Sequence, residues 1–223
     1  MIRTKSDAEI QQDVLRELKW DTRVEETEIG VTVNKAVVTL TGIVGSYGKR
    51  MAAQEAAHRV AGVLDVANDI QVRIPEGVDH TDPEIAQAVR NALEWDIWIP
   101  DERIRSTVSE GWVTLEGAVS QLGEREDAER AVRHLRGVRG VTNQITVSGP
   151  KVKPEKVRSM IEEALERRAE REAKRINVEV VDSTVTLSGA VRSWAEKRAI
   201  LGSVSHAPGV RTVEENLFVD PLV

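Results

Sequence analysis

The sequence predicts an α+β protein made of three tandem α-β-β-α-β units, each with two helices on one face of a small three-stranded mixed sheet. Three observations predict this. A strand-like segment recurs as VVTLTGIV at Val37–Val44, WVTLEGAV at Trp112–Val119 and TVTLSGAV at Thr184–Val191. Its glycines, Gly42, Gly117 and Gly189, are offset by 75 and then 72 positions, and other landmarks keep the same offsets. Within each interval, helical spacing and strand alternation follow one another in a fixed order.

The first helix of each unit starts at Asp7, Asp82 or Pro154, residue types suited to a helix start. Ile10, Val14 and Leu18 then recur at helical spacing, as do Ile85, Val89 and Leu93, and Val157 opens the third series. Alternation follows at Ile29, Val31 and Val33, and at Ile176, Val178 and Val180. Turn residues Asn34-Lys35, Glu110-Gly111 and Asp182-Ser183 join these strands to the repeated segment, which makes a β-hairpin. A second helix is predicted over 47–60, 122–135 and 194–207, stopped by Gly62, Gly137 and Gly209. A last strand reads VANDIQV, VTNQITV and VEENLFV. The units are thus 6–74, 81–149 and 153–221, separated by polar, proline-bearing linkers at 75–80 and 150–152.

These landmarks resemble the BON domain family of bacteria, in three tandem copies. The residues that carry the resemblance are the D-x-x-I helix start, the A-L-x-W-D segment ending at Asp96 with its counterpart around Trp20-Asp21, the V-T-L-x-G-x-V strand, and the G-V-x-x-V-x-N-x-I ending at Gly62 and Gly137. The third unit departs from the pattern, with Arg167 in place of the Trp and Asn216 one position late. The resemblance implies a non-enzymatic module that associates with phospholipid or membrane surfaces, with no cofactor and no catalysis. Many relatives are periplasmic or outer-membrane proteins. The opening residues here have no apolar run of signal-peptide length and no later stretch spans a bilayer, so the expected location is cytoplasmic, with peripheral membrane association.

Composition narrows the function further. A net charge of −6 argues against nucleic-acid binding, which leaves a basic footprint. With no cysteine, thiolate catalysis, disulfides and Cys-based zinc sites are excluded. The four histidines His58, His80, His134 and His206 lack ligand spacing, so no metal site is expected and solvated side chains are. GIVGSYGK at 42–49 is one residue too long for a phosphate loop, and Arg50 stands where the hydroxyl belongs. Glu163 with Arg167 and Glu170 with Lys174 read as i,i+4 pairs on a solvated helix face. No catalytic residue, cofactor site or metal site is predicted.

Only seven residues are aromatic and five of them are Trp, so the Trp positions carry the interest. Trp20 and Trp95 close the first helices at equivalent positions, and their repetition predicts packing against the sheet edge. Trp95 also opens the segment Trp95-Asp96-Ile97-Trp98-Ile99-Pro100, and Trp95, Ile97, Trp98 and Ile99 are the candidate membrane or partner contact. Such a loop either exposes an apolar patch for a partner or folds onto a neighbouring unit. Asn68 and Asn143 lie in phase with inward-facing residues and are expected to tie the last strand to a neighbouring turn. By unit, basic against acidic residues number 8 to 11, 8 to 12 and 12 to 12, so only the third unit escapes repulsion by anionic lipid. The resemblance, together with the Trp95–Pro100 segment, implies a phospholipid- or membrane-associating, stress-related protein; the alternative is a protein-interaction, chaperone-like or self-assembling homo-oligomeric module that uses several tethered copies.

Overall fold

A computed structural model describes residues 5–75, 80–150, 152–168 and 175–220, with backbone only for 166–168. The first unit contains α1 (Asp7–Trp20), β1 (Ile29–Asn34), β2 (Val37–Val44), α2 (Tyr47–Arg59) and β3 (Asp65–Val72). The second contains α3 (Asp82–Trp95), β4 (Ile104–Ser109), β5 (Trp112–Val119), α4 (Leu122–Val132) and β6 (Gly140–Val147). The third contains α5 (Pro154–Arg168), β7 (Ile176–Val181), β8 (Thr184–Val191), α6 (Trp194–Ser205) and β9 (Thr212–Val219). This is the predicted α+β order, three times over.

Local chemistry starts the helices. Glu9 accepts the Ser6 backbone N–H at 2.8 Å and Glu84 accepts that of Thr81 at 2.8 Å, each the return arm of a capping box. Pro154 opens α5, where its missing N–H costs nothing. The predicted apolar series face inward: Ile10, Val14 and Leu18, then Ile85, Val89 and Leu93, then Val157, Ile161 and Leu165 are all buried.

In each sheet the middle strand pairs antiparallel with the strand before it and parallel with the last one. A parallel partner needs a long crossover, which the second helix supplies. Register is the same in all three: Leu40 faces Asn68, Leu115 faces Asn143 and Leu187 faces Glu215. The repeated strand glycine has a backbone reason. Gly42 has φ +132°, and a Cβ there would stand 2.0 Å from the Glu28 carbonyl oxygen. Gly117 and Gly189 sit in the same way against Arg103 and Arg175. Gly62, Gly137 and Gly209, just beyond the second helices, also have positive φ.

The three units meet head to tail through the first residue of each second helix. Tyr47 packs on the core of the second unit, and its N–H lies 3.4 Å from the Val138 carbonyl. Leu122, at the equivalent position, is buried in the core of the third unit. Trp194, the third equivalent, packs on the core of the first. One kind of contact therefore runs from unit one to two, two to three and three back to one. A head-to-tail contact that returns to its start closes a ring.

Candidate functional site

The apolar loop of the second unit is shaped by Asp96. Its Oδ1 accepts the Trp98 N–H at 3.0 Å, and its carbonyl accepts the Ile99 N–H at 3.0 Å. This Asx turn bends the chain straight after α3. It points Ile99 into the core, where it is 5% exposed, and lifts Ile97 to 87% and Trp98 to 71% exposure. Trp95 is 85% exposed on the last turn of the helix. The candidate contact is thus Trp95, Ile97 and Trp98. Ile99 is corrected from contact residue to core plug, because the turn reverses its direction. Trp98 also lines a cleft of about 550 Å³ with Glu124, Asp127, Arg130 and, from the third unit, His206.

The first unit builds the same turn and loads it differently. Asp21 Oδ1 accepts the Arg23 N–H at 3.1 Å, and Val24 is the buried plug. Arg23 stands where Trp98 stands. Asp21 holds the Arg23 guanidinium with both oxygens at 2.9 and 2.8 Å and takes Arg59 at 2.7 Å. These charge-assisted bonds hold its carboxyl well below the usual carboxylate range despite its burial. Arg23 also reaches Glu55 at 3.2 Å, and Glu55 takes Arg133 of the second unit at 3.0 Å. What is an apolar tip in one unit is an ionic clamp across a junction in the other.

Trp20 is 83% exposed, so neither Trp20 nor Trp95 packs on a sheet edge. Trp20 follows the buried Leu18 by two positions, about 200° around the helix, which points it to solvent. The three junctions also differ. The first is ionic, through Glu55 and Arg133. In the second, Ser205 donates to Glu126 at 2.8 Å and His206 lies 4.0 Å from Asp127. The third is aromatic: the Trp194 ring stacks on His58 at 3.9 Å, and its N–H donates to the Leu64 carbonyl at 3.2 Å. His58 is therefore not the solvated side chain its spacing suggested. Burial first, and then the charge of Arg198, push its pKa down to about 4. Burial also lowers His134.

A family model described as BON domain matches residues 6–74, 81–149 and 155–221. The chain belongs to the BON domain family. It is 28% identical over 126 residues to osmotically-inducible protein Y of Escherichia coli, covering 55% of this chain and 63% of that protein. Two solved structures also align: CdsD, a structural protein of the type III secretion system of Chlamydia trachomatis, and its C-terminal domain. The first is 14% identical with a TM-score of 0.27, covering 94% of this chain and 91% of that one. The second is 13% identical with a TM-score of 0.26, covering 96% and 98%.

The BON landmarks have structural roles here. The helix-start Asp7 accepts the N–H groups of Lys35 and Ala36 at 2.8 Å each, and Asp82 does the same for Glu110 and Gly111 at 2.8 and 2.9 Å. Each carboxylate pins the hairpin turn, whose residues at Lys35, Ala36, Glu110 and Gly111 all have positive φ. Asn68 ties its strand to the second helix rather than to a turn: its Nδ2 donates to the Arg50 carbonyl at 3.2 Å and its Oδ1 accepts the Ile70 N–H at 3.3 Å. Asn143 repeats this with Arg125 and Ile145 at 2.8 and 3.2 Å. In the third BON unit the equivalent residue by register is Glu215, not Asn216. Glu215 accepts the Leu217 N–H at 2.9 Å and pairs with Lys197 at 2.9 Å, where Lys197 is the counterpart of Arg50 and Arg125. The landmark is kept there in ionic form.

The GIVGSYGK glycines serve backbone and junction. Gly42 is in β2, Gly45 lies against Pro75, and Gly48 packs on His134. On α5, Arg158 pairs with Glu162 at 2.8 Å, while the Arg167 side chain and the Glu170–Lys174 pair lie outside the described residues. Among the described residues no group of His, Asp and Glu is placed to hold a metal ion. Nor is any described helix long and apolar enough to cross a membrane. Sequence reasoning missed Trp194 and His58. The one signal was a large apolar or aromatic residue opening all three second helices, at Tyr47, Leu122 and Trp194.

Proposed function

We propose that this BON protein is a non-enzymatic binding protein that docks on phospholipid surfaces through Trp95, Ile97 and Trp98. The observation that carries the reading is the pair Ile97 and Trp98, 87% and 71% exposed on a turn bent by the Asp96 carboxylate. Large apolar side chains held in water mark a contact site, and Trp favours the depth of the lipid headgroups. Charge argues for insertion over attraction. A basic side chain near an anionic surface contributes about 1 kcal/mol, but the chain is net −6 and its second unit has 8 basic against 12 acidic residues. Burying a large apolar side chain contributes roughly 1.5–3 kcal/mol, so the apolar term decides. The name of the Escherichia coli relative supports a role in osmotic stress.

Co-sedimentation with phosphatidylcholine vesicles, and with vesicles containing phosphatidylglycerol, tests the reading. The wild-type chain is expected to bind the zwitterionic vesicles with little salt dependence, and Trp98→Ala to lose most of that binding. No binding to either vesicle type would refute it. A second reading, a self-assembling or protein-binding module, is favoured by the two outer strands of every sheet, each paired on one side only. Light scattering across concentration decides it, since a strict monomer argues against self-assembly.

A further inference from the structure

The three junctions of the ring are not equally secured. Residues 75–80 tether the first unit to the second, and 150–152 tether the second to the third. Nothing covalent joins the third to the first. That junction rests on Trp194, which packs on the cores of both units. Its ring lies 3.9 Å from the His58 ring at 15°, and Lys197 Nζ lies 4.4 Å from the indole centroid.

We propose that the contact between the third and first units is a latch, closed while His58 is neutral and released when His58 takes up a proton.

The geometry supplies the reason. His58 Nε2 is buried and has no hydrogen-bond partner among the described residues, so the closed junction gives an added proton nowhere to bond there. From α6, Arg198 and Lys197 face the imidazole with positive charge, while Glu55 on its own helix and Asp65 of β3 oppose them. Burial and Arg198 together outweigh these carboxylates. A cationic ring also loses solvation on stacking under Trp194 with Lys197 close by. The equivalents of His58 in the other units are Arg133 and Ser205, so the imidazole is particular to this junction. The histidines at the other junctions sit differently. His134 lies beside Gly48, and the half-exposed His206 lies 4.0 Å from Asp127.

The sign follows from linkage. Opening the junction uncovers His58 and removes Arg198 and Lys197, which lets its pKa rise from about 4 toward the ordinary 6.5. Closure therefore has full strength above pH 6.5 and weakens as pH falls toward 4. Across that window the closing equilibrium drops by on the order of a hundredfold.

Small-angle scattering of the full chain from pH 7.5 to 3.5, with far-UV circular dichroism to confirm that the units stay folded, tests the latch. The radius of gyration is expected to rise below pH 6.5 in the wild type. His58→Phe, which stacks but cannot protonate, is expected to remain compact throughout. Trp194→Ala is expected to be expanded already at pH 7.5, and His134→Gln to expand over the same range as the wild type. The latch is overturned if the wild type keeps its radius to pH 3.5, if His58→Phe expands as the wild type does, or if Trp194→Ala is compact at pH 7.5.

Discussion

The loops after α1 and α3 have the same backbone and opposite chemistry. Each is bent by an aspartate that accepts the N–H two residues on, and each is plugged by a buried aliphatic residue, Val24 or Ile99. Between them the first loop carries Thr22 and Arg23, and the second Ile97 and Trp98. Arg23 folds back on Asp21 and reaches Glu55, so the first loop spends its side chains on a junction. Trp98 has no such anchor and points to water. The two BON units thus share the aspartate and the buried aliphatic that shape the loop and differ in the side chains carried between them.

That shared frame makes the plug the most sensitive position. Ile99→Ala should destabilise the second unit by about 2–4 kcal/mol, as for other buried aliphatic truncations, visible as a lower urea midpoint. Ile97→Ala, two residues away, should stay within about 0.5 kcal/mol of wild type and instead weaken vesicle binding. Equal stability losses would erase the distinction between the two.

The two aspartates should differ next. Asp21→Ala removes the partner of two guanidinium groups, so a loss of about 2 kcal/mol is expected; Asp96→Ala loses only a turn bond, about 1 kcal/mol. Their pH behaviour sharpens this. The Asp21 carboxyl is lowered from 3.8 by its arginines, so its stabilisation is complete above pH 4 and is lost as pH falls below that value. Urea titrations at pH 7 and pH 3 should show wild type and Asp21→Ala converging at the lower pH.

The smallest effect should be in the third unit. Glu215→Gln keeps the acceptor for the Leu217 N–H but removes the charge opposite Lys197, for a cost of about 0.5–1 kcal/mol. Thermal unfolding of the full chain is the check. A loss of several kcal/mol would mean that the ionic form of the tie does more than replace the asparagine.

How much of this was legible in sequence depends on whether a feature leaves a periodic trace. The helices and strands do, because Ile10, Val14 and Leu18, or Val38 and Leu40, mark one buried face. The direction of Ile99 does not, since an Asx turn breaks the period just where the apolar run begins. Trp20 was legible in principle, because two residues beyond buried Leu18 is the far side of a helix. Its repetition at Trp95 suggested packing, but repetition reports a shared position and not a buried one. Glu215 was hidden by its chemistry, as a carboxylate paired with Lys197 does not look like an asparagine. The ring junctions left only one mark, the residue that opens each second helix, and nothing in it says which unit it touches.

The proposed membrane contact belongs to the second loop and not to the first, which has the same backbone. Moving the side chains tests it most directly. The double change Ile97→Thr with Trp98→Arg gives the second loop the side chains of the first while keeping Asp96 and Ile99. Co-sedimentation with phosphatidylcholine vesicles should then fall at least tenfold below wild type, with the urea midpoint unchanged. Binding that survives the exchange at wild-type strength would contradict the account.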